Sequence, residues 1–540
     1  MSARKKIPTK AELIQLQKLY RTDEKIGERL GGVPAYLVAY WRRKKNVPRH
    51  SQPKFSEAEV RNLWERYGDD DKCGLELGIS KAAFYNWRRR YGIKEKPAFL
   101  KLEQLEFPFP GLKTGSRSVS LYGKRTVAQK ILANAAGIDR LEVGDTALVE
   151  PDLLVSSHSA VEVLRLFKDI GPEFLHNPNK VFLSLGPDNT EASTSPDDRR
   201  LAREFARRQS VRNAVESFEG IAHQLAVERG LALPGQLALG LDCRTTAFGA
   251  LGTLATVVAP AEMATAWATG KTRLGVPPTI RIDISGRRSR GVYGRDIAIS
   301  LISRIKANGA AFKAIEFYGS AVTQMSINER QTLSLLSTAM GAVAAMCPFD
   351  SSVRRYLNGR TTAQYQPIVA DKDAEYSEIF QINIEQLAPQ IVCPNGPDQV
   401  RAVAEVENLP VDQVIVGTSA NGRFEDLRIA SEVLKGRQVH RNCRLYVCPA
   451  SRSVFIEALK KGLIRILAEA GAVILPPGAE PGAHSPIPPL ADGECRLSTG
   501  VQPAFGQITS DSTPTYFCSP ATAAASAVNG AVTDPSGYVK

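Results

Sequence analysis

Two segments near the start of this 540-residue chain repeat one another, and that repetition constrains its fold more than any other feature. Leu16 to Arg43 aligns with Leu63 to Arg89 at an offset of 47 residues, which falls to 46 after a turn. Matched positions include Tyr20/Tyr67, Lys25/Lys72, Gly27/Gly74, Leu30/Leu77, Gly31/Gly78 and Trp41/Trp87. Each copy reads as a helix, a polar break, a second helix closing at Leu-Gly, a tight turn and a third helix ending in Trp-Arg-Arg. A glycine after Leu30 or Leu77 suits the left-handed residue that closes a helix. The expectation is an all-α tandem helix-turn-helix module over residues 1–95, followed by a linker at 96–120.

Charge concentrates in the same place. Residues 1–98 hold 23 Lys and Arg against 12 Asp and Glu, so their excess of 11 is most of the net +13 of the whole chain. A basic module on a nearly neutral body points to a polyanionic partner for the module, namely DNA. In each copy the third helix is the candidate reading element. Ser80 is placed to cap it, with Lys81, Tyr85 and Asn86 facing base edges. Arg42, Arg43, Lys44 and Lys45 in one copy, and Arg88, Arg89 and Arg90 in the other, are expected at phosphates. Trp41 and Trp87 fall at the apolar spacing of their helices and are expected in the cores. The module resembles the small helix-turn-helix units of transposases and bacterial regulators.

Beyond the linker, β-branched runs such as Gln413 to Val416 and Arg444 to Val447 alternate with amphipathic stretches such as Phe424 to Leu434 and Val454 to Ala470. That alternation indicates an α/β body built on largely parallel sheets. Eight cysteines with no Cys-x-x-Cys pair exclude a disulfide framework, and Cys443 and Cys448 point to opposite faces of a strand. No run of about 20 uncharged apolar residues or secretory leader is apparent, so a cytoplasmic protein without membrane partners is expected.

Several segments of the body carry a family resemblance. They are Arg125 to Ala133, Gly220-Ile-Ala-His-Gln to Gly235, Ala314-Ile-Glu-Phe-Tyr-Gly319, Gly417-Thr-Ser-Ala-Asn-Gly-Arg423 and Cys518-Ser-Pro-Ala-Thr-Ala-Ala-Ala525. In this order they resemble the large subunit of isopropylmalate dehydratase, of the aconitase superfamily, over residues 121–536. The resemblance implies three α/β subdomains around a cleft, and a [4Fe-4S] cluster whose open iron activates a hydroxy-polycarboxylate.

The sequence departs from that chemistry. Ser419 stands where the resemblance implies the first cluster cysteine, and Pro477-Gly-Ala-Glu-Pro-Gly482 replaces a thiol pair. Arg244 replaces a histidine in Asp242-Cys-Arg-Thr245; Gly186-Pro187-Asp188 replaces an Asp-His pair. Leu335 and Ala339 fall near an expected Asn and Glu, and Gly500 to Phe505 shows no Asn-Arg-Asn. No metal site and no cofactor are therefore expected. The surviving polar positions are His223, Asp242, Glu316, Asn421 and Arg423. Arg244, Ser419, Asn421 and Arg423 are the candidate ligand-binding set, with Arg423 as a bidentate carboxylate clamp.

The functional expectation is a DNA-binding regulator whose cluster-free body senses a small polycarboxylate or serves assembly. The alternative is a hydro-lyase or isomerase of hydroxy-polycarboxylates, paired with a small-subunit-like protein, with His223, Asp242 and Glu316 as its acid and base candidates. A subunit that only binds a partner protein is the third reading.

Overall fold

The structure, a computed structural model, describes residues 7–20, 22–47, 55–67, 69–93, 124–157, 160–185, 195–216, 218–479, 486–501 and 514–539. The expected linker, Gly186 to Asp188, Glu480 to Gly482 and Gln502 to Phe505 lie outside them. The chain divides into two compact units, Met1–Pro110 and Gly111–Lys540.

In the first unit each copy of the repeat forms three helices: α1 (Lys10–Tyr20), α2 (Asp23–Arg29) and α3 (Ala35–Lys44), then α4 (Glu57–Tyr67), α5 (Asp70–Glu76) and α6 (Lys81–Arg90). Equivalent positions build equivalent cores. Leu13, Ile26, Val38 and Val47 in the first copy correspond to Val60, Cys73, Phe84 and Ile93 in the second, all buried. The shared glycines Gly27 and Gly74 have a packing reason: a Cβ there would lie 2.0 Å from the Val33 carbonyl oxygen, or 2.8 Å from that of Ile79. Gly31 and Gly78 take φ of 82° and 64°, closing the second helix of each copy as expected. The one-residue difference between the copies is Gly32, also left-handed at 75°.

The second unit holds three main sheets. The first is five-stranded and entirely parallel, in the order β4 (Asn213–Val215), β3 (Val181–Ser184), β2 (Leu153–Ser156), β5 (Leu237–Gly240), β6 (Leu254–Val257). A small antiparallel pair, β1 (Thr146–Val149) and β7 (Thr272–Gly275), accompanies it. The second sheet is four-stranded and parallel, in the order β10 (Ala344–Met346), β9 (Ala314–Tyr318), β8 (Thr279–Ser285), β11 (Glu378–Asn383). The third is seven-stranded and mixed, in the order β13 (Val400–Ala402), β12 (Gln390–Val392), β18 (Thr515–Cys518), β17 (Arg496–Ser498), β14 (Gln413–Gly417), β15 (Arg444–Cys448), β16 (Val473–Ile474). Its β12–β13 and β12–β18 pairs are antiparallel.

The β-branched runs behave as buried parallel strands must, apolar on both faces. All five residues of β14 are buried. Cys448 ends β15 and Cys443 precedes its first residue, and the two thiols do fall in different apolar clusters: Cys443 with Val414 and Leu427, Cys448 with Ile415 and Tyr446. The stretch Val454 to Ala470, expected as one helix, is two, Arg452–Lys460 and Leu463–Glu469, because Gly462 takes φ 75° between them. Among the described residues no helix is long and apolar enough to cross a membrane.

Candidate functional site

The body's polar centre forms where the ends of parallel strands meet. Strand β14 lies inside the seven-stranded sheet, and the loop after it, Gly417 to Arg423, leaves from its C-terminal end, where open α/β sheets place their ligands. Gly417 takes φ 123°, and a Cβ there would lie 2.0 Å from the Cys448 carbonyl oxygen, so only glycine lets the loop cross β15 so closely. Thr418 then takes φ 66°, a left-handed conformation that costs a β-branched residue of order 1–2 kcal/mol. Surrounding bonds hold this strained turn. The Thr499 hydroxyl accepts from the Gly417 N–H at 2.8 Å and donates to the Gly417 carbonyl at 3.1 Å.

His223 reaches this loop from the helix Ala222–Glu228, beside the five-stranded sheet. Its Nε2 lies 3.0 Å from the Ser419 carbonyl oxygen. A carbonyl only accepts, so Nε2 carries the proton and the neutral ring presents Nδ1 as an acceptor. Burial is the main cause that pushes the imidazole down to about 3, followed by the charge of Arg423; Asp242 opposes and Arg244 reinforces. Asp242 ends β5's turn, accepting from the Arg244 N–H at 2.6 Å and from the Ser157 hydroxyl. His223, Asp242, Arg244, Ser419 and Arg423 therefore share one electrostatic neighbourhood.

Native His223 favours the neutral ring more than the unfolded chain does. Its stabilising contribution is complete above pH 6.5 and is lost as pH falls toward about 3. Asp426 and Asp296 act oppositely: burial raises them to about 6 and about 7, so their cost appears as pH rises from 3.8. The difference between wild type and His223→Gln isolates the histidine. The wild-type advantage in unfolding free energy, measured by urea titration, should shrink steadily between about pH 6.5 and about pH 4.

Arg423 does not meet the expectation of a two-nitrogen clamp. Its Nε donates to Gln224 Oε1 at 3.0 Å, and its Nη1 donates to Thr332 Oγ1 at 3.1 Å and to the Ala420 carbonyl. Of its nitrogens only Nη2 has no hydrogen-bond partner among the described residues. Asn421 is equally engaged: its Nδ2 donates to Asp426 Oδ1 at 2.8 Å and its Oδ1 accepts from Arg295 Nη1 at 2.8 Å. Arg295, which the sequence reading did not single out, also donates to the Thr499 and Gly500 carbonyls, each at 2.6 Å. A small apolar cluster of Ala247, Leu335 and Ala420, with Val501 against it, packs beside the loop.

Glu316 lies apart from this centre. It accepts from the Val127 N–H at 2.7 Å and from the Tyr318 and Tyr376 hydroxyls at 2.7 and 3.0 Å. It thus caps the helix Val127–Ala136 from across the fold.

The described residues offer no ligand set for a [4Fe-4S] cluster. Ser419 offers a hydroxyl, Pro477 to Ala479 carry no thiol, and among the described residues no three His, Cys, Asp or Glu side chains converge as metal ligands. Cys448 pairs with Gly417 across β14 and β15, yet it belongs to the apolar cluster of Ile415, Leu475 and Ile487. One thiol in an apolar setting cannot hold a cluster that needs three.

In the first unit the structure separates the expected DNA contacts into two groups. Arg42 is buried, with Nε and Nη2 each 3.2 Å from Asp23 and Nη1 3.2 Å from the Val47 carbonyl. Arg88 repeats that pattern on Asp70 at 2.8 and 3.0 Å and on the Ile93 carbonyl at 2.8 Å, with its guanidinium over the Trp64 ring. These two arginines tie the third helix to the second within each copy, which removes them from the cations available to phosphates. Lys45 donates to the Pro8 carbonyl, and the Ser80 hydroxyl accepts from the Ala83 N–H as the expected cap. Arg43, Lys44, Lys81, Tyr85, Asn86, Arg89 and Arg90 are exposed. Trp41 is buried as expected, whereas Trp87 is only half-buried, between Phe55 and Tyr91.

Residues 191–408 and 401–530 match the aconitase family (aconitate hydratase), and the chain belongs to that family. It is 36% identical over 422 residues to the 3-isopropylmalate dehydratase large subunit 1 of Methanopyrus kandleri, covering 77% of this chain and 100% of that protein. It is 39% identical over 386 residues to a probable methanogen homoaconitase large subunit of Methanosarcina mazei, covering 70% of this chain and 97% of that protein. Aconitase X of Thermococcus kodakaraensis, solved in its holo-form, aligns with a TM-score of 0.40 at 13% identity, over 69% of this chain and 89% of that one.

Proposed function

We propose that this chain is a cytoplasmic DNA-binding regulator whose aconitase-family body senses a small hydroxy-polycarboxylate without a cluster. The observation that carries the sensing role is a set of buried polar atoms around the strained loop with no partner among the described residues: Thr418 Oγ1, His223 Nδ1 and Arg423 Nη2. Buried polar groups in native proteins are normally paired, so such a set calls for a ligand or ordered water. Its chemistry suits a hydroxy acid. Neutral His223 Nδ1 accepts from a hydroxyl, while Arg423 Nη2 and the Thr418 hydroxyl donate to a carboxylate. The names of the relatives point to the same substrate class, 3-isopropylmalate and its homologues. The DNA-binding role is supported by the duplicated scaffold and its exposed cations.

Calorimetry and thermal unfolding with isopropylmalate and citrate test the sensing role. Binding to the native state at 100 times Kd adds about 2.7 kcal/mol and should raise Tm, and Arg423→Met should abolish the rise. A Tm unmoved by every hydroxy acid at millimolar concentration would remove the body's role as a sensor.

The competing reading is a hydro-lyase that works with a small-subunit-like partner. It is favoured by the coverage of the large subunits, which this chain spans almost end to end. Formation of an unsaturated acid from isopropylmalate by the protein, alone or with such a partner, would decide for it.

A further inference from the structure

We infer that the first unit recognises a composite DNA site made of two different sub-sequences, one for each copy of the repeat. The inference rests on the DNA-binding reading above and adds the form of the target. Helices α3 and α6 correspond at an offset of 46 residues, and most of their positions fall into three groups by burial and place along the helix.

The inward positions preserve the scaffold. Val38/Phe84 and Trp41/Trp87 pack inward, and Arg42/Arg88 make the same bonds to Asp23/Asp70 and to the Val47/Ile93 carbonyls. The outward positions at the C-terminal end of each helix, Arg43/Arg89 and Lys44/Arg90, are exposed cations in both copies. They supply the sequence-blind contacts to phosphate. The positions nearer the N-terminal end that are exposed in at least one copy are Ala35/Lys81, Tyr36/Ala82, Ala39/Tyr85 and Tyr40/Asn86, with Ala35 and Ala39 half-buried. All four pairs differ in chemical type, and these are the positions that face base edges when such a helix enters the major groove.

Change of chemical type on the reading face, while core positions such as Val38/Phe84 and Ile26/Cys73 stay apolar and the phosphate positions stay cationic, is the pattern expected of two readers with different targets. Tyr36 and Tyr40 lie one turn apart and are 71% and 54% exposed, a far larger aromatic area than a solvated helix face requires. They offer apolar contact to thymine methyl groups. The second copy offers Lys81 to guanine and Asn86 to adenine, with Tyr85 between them. The target is therefore asymmetric, and one chain suffices to read it in a fixed direction.

Selection from a random DNA pool by the full-length protein at fixed salt tests this. The expected outcome is a motif with two dissimilar halves at constant spacing. A grafted variant carrying Ala35→Lys, Tyr36→Ala, Ala39→Tyr and Tyr40→Asn should select a direct repeat of the second half and bind the original site roughly tenfold or more weakly. If the graft loses helical signal, Asn86→Ala serves instead and should relax preference at one position of the second half. A wild-type motif with identical halves, a single half, or retention of all sequences alike would overturn the inference while leaving DNA binding intact. Absence of salt-dependent retention of any DNA would overturn it together with the reading beneath it.

Discussion

Arg295→Ala is expected to lower the unfolding free energy of the body by about 3–5 kcal/mol, from the loss of three charge-assisted hydrogen bonds at about 1.5–3 kcal/mol each, offset in part by the desolvation the buried charge no longer incurs. The guanidinium is buried, and its loss leaves Asn421 Oδ1 and the carbonyls of Thr499 and Gly500 without their donor. Burial holds Arg295 down to about 10, so it remains charged at neutral pH and its bonds are charge-assisted. Arg295→Met separates hydrogen bonding from packing. It refills most of the volume and leaves the same acceptors unpaired, so it should lose nearly as much as the alanine variant. Denaturant titrations of the three proteins decide the matter, and a methionine variant as stable as wild type would show the network to be dispensable.

The second large effect concerns Arg88. Its salt bridge to Asp70 is largely buried, with side-chain exposures of 13% and 14%. Arg88→Ala should cost about 2–3 kcal/mol, through the lost charged bonds and the stranded carboxylate. The second copy of the repeat is so small that a loss of this size should unfold it under native conditions. Circular dichroism and proteolysis should report that unfolding. Arg89→Ala and Arg90→Ala, at exposed positions, should leave the fold intact and weaken DNA retention while reducing its salt dependence. A well-folded Arg88→Ala protein would return this residue to the phosphate-contacting group.

What was legible in the sequence was the part governed by local physics. Strands β14 and β15 are legible because a parallel strand covered on both faces carries an unbroken apolar run, here Val414 to Val416 and Leu445 to Val447, and the helix Phe424–Leu434 because its apolar stripe has helical period. The glycines closing the second helix of each copy announced themselves through their position after Leu30 and Leu77. Tertiary partnership was not legible. Arg295 looks like any arginine of a helix, and its acceptors lie 126 to 205 residues away. Arg42 and Arg88 sit in visibly basic runs that suggest phosphate contacts, while the carboxylates that hold them lie 19 and 18 residues upstream. A signal was present there: Asp23 and Asp70 occupy matching positions of the repeat, so an acid was retained wherever the arginine was. Glu316 shows the limit of a resemblance, which marks a residue as retained without naming the Val127 N–H and the Tyr318 and Tyr376 hydroxyls that it accepts from.

The strand order of the seven-stranded sheet governs how the body is made on the ribosome. Strand β18 lies between β12 and β17, bonded to both, although it emerges more than a hundred residues after β12. Until Thr515–Cys518 leaves the exit tunnel, the β12–β13 hairpin and the β14–β17 strands are separate pieces with open edges, exposed to wrong pairing and in need of chaperone protection. The repeat module, whose contacts join neighbouring helices, can be complete long before then. A nascent chain can therefore carry a finished repeat module while the aconitase-family body behind it is still unassembled.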